Sequence, residues 1–321
     1  MCFTKTTKYT GKPVLFLLML CMGLLCGCES LVNDLDQDKL PKVEAKLAVS
    51  CYISPQTPRF EAIITESQPL FGPANYNPVF VENAEVILAD DVSQVRLIFD
   101  DSLKHYAADS SAFKIVAGKT YTLTVNDGKR IVKAKCTVPF NAVKVMDLNI
   151  EKAWAGYGTD SLASFRFSWE DVKGQSNFYA VRGAYTLEET VPRFYPETGD
   201  ITPFRYTYRY DMYSYYRAVY NDINLDGIKF NAPAHVIYSI PRRIISYLDK
   251  KGVERTLDND PRLRDVRVEV MCIDEHYYKF KRSLENNDDN PFVEPTLVYT
   301  NIEGGLGIFA SFNAVGKTVN P

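Results

Sequence analysis

The sequence predicts a mainly β protein, with two antiparallel β-sandwich-like domains and one short helix near the C-terminus. Three observations carry this expectation. Short segments rich in Val, Ile, Thr, Tyr and Phe alternate between apolar and polar residues with period 2. Asp-Asp, Gly-Lys and Asn-Asp-Gly turn signals separate them at the intervals of a sandwich. Helical periodicity stands out near Glu275 to Glu285 alone. The expected divisions are a signal segment at 1–27, an acidic tether at 28–42, an N-terminal sandwich of immunoglobulin or transthyretin type at 43–140, and a C-terminal β-rich domain at 141–321 closed by a Gly-rich hairpin.

At the start, Lys5, Lys8 and Lys12 form a basic cluster, and Val14 to Cys26 is an almost unbroken apolar run of about a dozen residues, the size of a signal-peptide core. A spanning helix needs roughly 18 to 20 such residues, and Glu29, Ser30 and Asn33 interrupt the run first. Leu25-Cys26-Gly27-Cys28 resembles the bacterial lipobox, in which a small residue precedes the cysteine that becomes the new N-terminus and is acylated. Cys28 is thus expected to be a lipid anchor, not a nucleophile. At about 0.8 kcal/mol per buried methylene, two or three acyl chains hold a protein to a membrane almost permanently. Residues 29–38, acidic and poor in large apolar groups, suit a solvated tether.

Removal of residues 1–27 leaves 294 residues with 34 basic and 40 acidic side chains, a net charge of −6. No basic footprint for nucleic acid survives. Of the seven cysteines, Cys2, Cys21, Cys26 and Cys28 belong to the signal and anchor, leaving Cys51, Cys136 and Cys272. An exported location permits disulfides. A Cys51–Cys136 bridge would close a loop of 85 residues and stabilise by roughly 4 kcal/mol on the chain-entropy model. Spacing does not choose between that bridge and free buried thiols.

Ala45 to Ile53 alternates like a half-buried strand, and Arg59 to Thr65, Ala84 to Ala89, Val95 to Phe99, Thr120 to Val125 and Ile131 to Val138 follow as further strands. Asn126-Asp127-Gly128 marks the clearest hairpin. Ser164 to Trp169 and Phe178 to Gly183 alternate like two strands paired with each other around residues 171–177. Asp274 is the expected N-cap of the helix, with Tyr277, Tyr278 and Lys281 at helical spacings.

Phe204, Tyr206, Tyr208 and Tyr210 alternate with Arg205, Thr207 and Arg209, which puts an aromatic stripe on one strand face and basic groups on the other. Eight of the 21 tyrosines lie between residues 195 and 220. Such a face is usually buried as core, while tyrosine's apolar body and polar tip also suit glycan stacking or partner contact. Asp222, Asn224 and Asp226 with Gly227 resemble the first half of a calcium loop, but its twelfth position holds Pro233 where a bidentate glutamate is required. The metal expectation is therefore none, and a polar turn the simpler reading. Gly305-Leu306-Gly307-Ile308-Phe309-Ala310 formally matches a dinucleotide fingerprint but has no helix to open. Asp101-Ser102-Leu103 and Asp160-Ser161-Leu162 match a three-residue O-glycosylation pattern, making Ser102 and Ser161 candidate acceptors. The three histidines (His105, His235, His276) fall in no catalytic motif, and no cofactor is expected.

Asn290-Pro291-Phe292-Val293-Glu294-Pro295 and then Tyr299-Thr300-Asn301-Ile302-Glu303-Gly304-Gly305-Leu306-Gly307-Ile308-Phe309 resemble the C-terminal signature of the Bacteroidetes lipoproteins grouped as domain of unknown function family 4249. Leu47-Ala48-Val49, Asn83 to Val86, Gly118 to Val125, Val138-Pro139 and Phe167 to Asp171 fall in that family's order. The acidic segment after Cys28 is similar to the export signal that carries such lipoproteins to the outer face of the outer membrane; the periplasmic leaflet is the alternative. The resemblance implies no catalytic residues. It implies a lipid-anchored accessory of an outer-membrane TonB-dependent transporter, acting in nutrient capture or uptake. A structural or adhesive surface protein is the alternative, and an enzyme with carboxylates converging in a cleft is a more distant one.

Overall fold

Alternation decides the first half of the chain. The strands are β1 (Leu47–Ile53), β2 (Arg59–Glu66), β3 (Val79–Phe80), β4 (Glu85–Ala89), β5 (Gln94–Asp100), β6 (His105–Asp109), β7 (Thr120–Asn126) and β8 (Ile131–Thr137). On β1, Leu47, Val49, Cys51 and Ile53 are buried, and every second residue between them is half-buried. β8 shows the same alternation, with Val132, Ala134 and Cys136 inward. The β7–β8 hairpin forms at Asn126-Asp127-Gly128 as the sequence predicts, and Gly128 supplies the positive φ of 86° that the turn demands.

The computed structural model describes residues 44–68, 77–154, 161–212, 219–237, 242–285 and 297–321. The signal segment, Cys28 and the tether lie outside the described residues, as do Tyr213, Tyr215, Tyr216 and the Asn290–Pro295 part of the C-terminal motif. Lys46–Ser67 and Asn77–Pro321 form one compact unit; of the other unit, 1–45 with 68–76, only residues 44, 45 and 68 are described.

The second half contributes β9 (Asn149–Trp154), β10 (Ser161–Arg166), β11 (Ser168–Glu170), β12 (Phe178–Tyr195), β13 (Asp200–Asp211), β14 (Val219–Asn221), β15 (Lys229–Asn231), β16 (His235–Ile237), β17 (Ile244–Leu248), β18 (Glu254–Asp258), β19 (Arg262–Ile273), α1 (Glu275–Glu285) and β20 (Leu306–Val319). Among the described residues the fold is mainly β with one helix, near the C-terminus. Asp274 caps α1 as expected, its Oδ1 accepting the Tyr277 N–H at 2.8 Å.

Among the described residues, thirteen strands join into one sheet in the order β13-β12-β19-β20-β1-β2-β6-β5-β4-β7-β8, with β3 and β14 beside it. Two main cores pack on it. Leu47, Ile53, Phe60, Leu88, Tyr121 and Phe309 belong to the first, while Phe165, Trp169, Tyr179, Leu187 and Val268 belong to the second. Burying each such aliphatic or Phe side chain stabilises by about 1.5–3 kcal/mol. The first core's residues run to Val138 and resume at Ile302 and Phe309, while the second core's begin at Val143.

The sheet runs unbroken across the expected boundary at 140, because β20 carries Phe309 of the first core and pairs with β19, which carries Val266, Val268 and Val270 of the second. β20 runs parallel to β1, with Val49 opposite Gly307 and Cys51 opposite Phe309, and antiparallel to β19, with Val270 opposite Val315. The expected C-terminal domain is therefore not closed on itself, and the expected Gly-rich closing hairpin is absent among the described residues. Gly304 and Gly305 instead turn the chain into β20. Just before the turn, Glu303 bridges Lys133 of β8, the Glu303 N–H donating to the Lys133 carbonyl at 2.8 Å. Asn301 completes the join: its Nδ2 donates to the Phe309 carbonyl at 2.7 Å and its Oδ1 accepts the Phe309 N–H at 3.0 Å.

A second expectation is also corrected. Ser164 to Trp169 and Phe178 to Gly183 are extended, but they do not pair with each other. β10 pairs with β9 and β16, β11 with β15, and β12 with β13, β14 and β19. They meet face to face instead: Trp169 stacks on Phe230 at 5.3 Å and lies edge-on to Tyr179 at 5.9 Å.

Candidate functional site

Phe204, Tyr206, Tyr208 and Tyr210 lie on β13, the terminal strand of the large sheet among the described residues. Its register with β12 sets Tyr210 opposite Tyr185, Tyr208 opposite Leu187, Tyr206 opposite Glu189 and Phe204 opposite Val191. Directly opposed residues share a face, so the aromatics lie on the face that carries the second core. Tyr185 and Leu187 are buried in that core. One strand further out, Phe204, Tyr206 and Tyr208 are only half-buried, and Tyr210 is 40 % exposed. Core burial, the usual fate of such a stripe, therefore stops at β12, because β13 is the sheet edge.

The side chains form a continuous ladder. Ring centroids are 4.8 Å apart for Phe204 and Tyr206, 6.3 Å for Tyr206 and Tyr208, 6.5 Å for Tyr208 and Tyr210, and 5.2 Å for Tyr210 and Tyr185. The Arg193 guanidinium sits 4.6 Å from the Phe204 ring centre. Beneath the ladder, buried Glu189 accepts from Tyr208 Oη at 3.4 Å and from Asn259 Nδ2 at 3.2 Å. Asn259 is fully buried and ties the β17–β18 hairpin to β12, accepting the Thr190 N–H at its carbonyl. Glu189 and Asn259 were not legible as site residues, since 70 positions separate them.

The basic residues occupy the opposite face, as the alternation predicts. Arg205 pairs with Glu188 at 3.1 Å and with Asp260 at 3.2 Å. Arg209 lines an open groove with Arg182, Arg267 and Glu269, three residues that no sequence motif singles out. The signal for two of them was a charge flanked by apolar strand residues, as in Val181-Arg182-Gly183 and Val268-Glu269-Val270.

The remaining candidates resolve into structural roles. Asp222 Oδ2 accepts the Asn177 N–H at 2.7 Å, and Asp226 Oδ1 accepts the Gly174 N–H at 2.6 Å. In return Asp171 Oδ2 accepts the Gly227 N–H at 2.8 Å. These carboxylates staple two loops together, and Asn224 supplies the turn with φ of 64°. Among the described residues no cluster of three or more His, Cys, Asp or Glu is placed to hold a metal. Cys51 and Cys136 are free, buried thiols, so the structure contains no bridge between them. Burial pushes the Cys51 thiol up to about 12 and Cys136 well above its ordinary value, which leaves both protonated and poorly nucleophilic. Ser102 is exposed in the β5–β6 turn, its Oγ 2.6 Å from Asp100 Oδ1. Ser161 starts β10, and its side chain lies outside the described residues.

A family model described as a domain of unknown function (DUF4249) matches residues 30–318. The chain belongs to that family. No curated protein matches this DUF4249 chain. The matched region takes in both cores, the Tyr ladder and the whole turn into β20. The Asn301 to Phe309 motif of this DUF4249 protein therefore has a defined structural role, leading the chain's last strand in beside β1.

Proposed function

We propose that this protein is a non-enzymatic lipoprotein, anchored through Cys28 at the outer-membrane surface, that assists a TonB-dependent transporter in nutrient capture or uptake. The observation that carries this reading is the lipobox-like Leu25-Cys26-Gly27-Cys28 on a chain of the DUF4249 family. The edge strand supports it by supplying a contact surface. β13 ends the sheet, its outer backbone edge has no strand partner among the described residues, and half-buried Tyr206 and Tyr208 with exposed Tyr210 leave aromatic area uncovered beside it. An edge of this kind suits strand addition by a partner, with alternate side chains giving specificity.

Two successive measurements test the reading. Fatty-acid labelling in the native host, lost in Cys28→Ala, tests the anchor. Affinity purification from detergent-solubilised membranes then tests the partner: recovery of an outer-membrane barrel, lost in the Tyr206→Ala/Tyr208→Ala variant, supports the proposal, and consistent recovery of the protein alone overturns it.

A further inference from the structure

The sheet face opposite the second core holds a groove of about 430 Å3, lined chiefly by Arg182, Ala184, Arg209, Asp211, Arg267 and Glu269. Register assembles it. Ala184 of β12 stands opposite Asp211 of β13 on one side and Arg267 of β19 on the other, while Arg182 stands opposite Glu269. The floor is kept low by small residues: Ala184 itself, and Gly316 of β20 opposite Glu269, where a Cβ would lie 3.1 Å from the Glu269 Cγ.

The groove is built around one buried acid. Glu269 is 8 % exposed, and its Oε1 accepts from Arg267 Nε at 3.1 Å and Nη2 at 2.6 Å. Its Oε2 accepts from Arg182 Nε, and the Arg182 guanidinium also lies 5.5 Å from the Phe312 ring centre. Burial alone would discourage ionisation of Glu269, but the hydrogen bonds and charges of the two arginines hold its pKa below the ordinary value. Both guanidiniums are thereby fixed in direction, and each keeps N–H donors that Glu269 does not use. Arg209 is exposed and makes no ion pair or hydrogen bond among the described residues. Three guanidiniums against the two carboxylates of Asp211 and Glu269 leave a net charge of +1.

We propose that this groove binds a small organic monocarboxylate that also carries hydroxyl donors, the chemistry of an acidic monosaccharide. Arg209 grips the carboxylate as a bidentate fork, the spare donors of Arg182 and Arg267 complete its oxygens, and Asp211 accepts from a hydroxyl. A single negative charge balances the groove. A phosphate dianion overshoots it and meets Asp211, and a neutral sugar leaves Arg209 unpaired. The assignment does not depend on the membrane anchor or on a transporter.

Titration calorimetry of the full-length protein in detergent, with glucuronate, glucose and inorganic phosphate as probes, tests it. Glucuronate is expected to bind at least about tenfold more tightly than either other probe. Arg209→Gln is expected to weaken glucuronate by about tenfold or more without moving the melting temperature, and Arg209→Lys to recover part of the loss. The proposal is overturned by absence of glucuronate binding at millimolar concentration, by affinity indifferent to Arg209→Gln, or by glucose or phosphate binding as tightly as glucuronate.

Discussion

Asp274 Oδ2 accepts two hydrogen bonds from Ser311, one from its backbone N–H at 2.6 Å and one from its Oγ at 2.7 Å. Both residues are buried. The Ser311 hydroxyl also lies 3.0 Å from the Thr137 carbonyl of β8, and the other Asp274 oxygen caps α1. One carboxylate thus ties the helix to β20, the strand that lies between β19 and β1 in the sheet.

Removing the Ser311 hydroxyl leaves the backbone donor in place, so Ser311→Ala is expected to cost about 1–2 kcal/mol. Asp274→Ala removes the cap and orphans buried donors, and is expected to cost about 3 kcal/mol or more in urea unfolding. The pH dependence has a definite sign. Burial raises the Asp274 pKa above 3.8 despite the hydrogen bonds from Tyr277 and Ser311. The folded state therefore holds this proton more tightly than the unfolded state, and the Asp274 contribution to stability falls as pH rises from 3.8 through the raised folded value. Mild acidification should recover stability in the native protein and not in Asp274→Asn.

Asp127 behaves oppositely. Its desolvation opposes ionisation, but the Arg130 and Lys129 N–H groups and the Arg130 guanidinium hold its pKa at about 2. A depressed carboxylate contributes stability that is complete above its unfolded value and is lost as pH falls from 3.8 toward about 2. Asp127→Asn is expected to flatten this acid limb of the stability curve, as read by circular dichroism, and to destabilise the β7–β8 hairpin at neutral pH.

Two glycines with similar φ should respond very differently to alanine. At Gly307, φ is 96° and a Cβ would stand 2.0 Å from the Val49 carbonyl oxygen, so Gly307→Ala must push β20 away from β1. A loss above about 4 kcal/mol, or failure to fold, is expected. Gly128 has φ of 86° with nothing within 4 Å of the Cβ site. Gly128→Ala should cost only about 1 kcal/mol, the backbone contribution alone. Equal losses for the two variants would contradict the close β1–β20 approach.

These contrasts mark what was legible in the sequence. Period-2 alternation found β1, β2, β4, β5, β7 and β8, because each turns one face into the first core and leaves the other less buried. It missed β6, whose His105 to Asp109 carries two alanines and little β propensity. The Asp274 cap was readable because capping is local, acting across three residues. The β1–β20 pairing was not, since Gly307 meets a residue 258 positions earlier and parallel pairing leaves no turn signal. The Tyr stripe was readable as a face, but its degree of burial depended on strand order, which periodicity does not encode.

That edge position yields the sharpest test of the ladder. Trp169 is fully buried against Phe230, Tyr179 and Tyr220, so Trp169→Ala is expected to cost about 3–5 kcal/mol. Tyr206 and Tyr208 lie half-buried outside every core cluster and contact chiefly one another, Phe204, Tyr210 and Glu189. Replacing both by alanine should cost only about 1–2 kcal/mol, seen as a small shift in the urea midpoint with unchanged slope. The same double variant should lose the partner recovered from detergent-solubilised membranes. A stability loss matching that of Trp169→Ala would show that the ladder is core, and an unchanged partner recovery would move the contact surface elsewhere on the sheet.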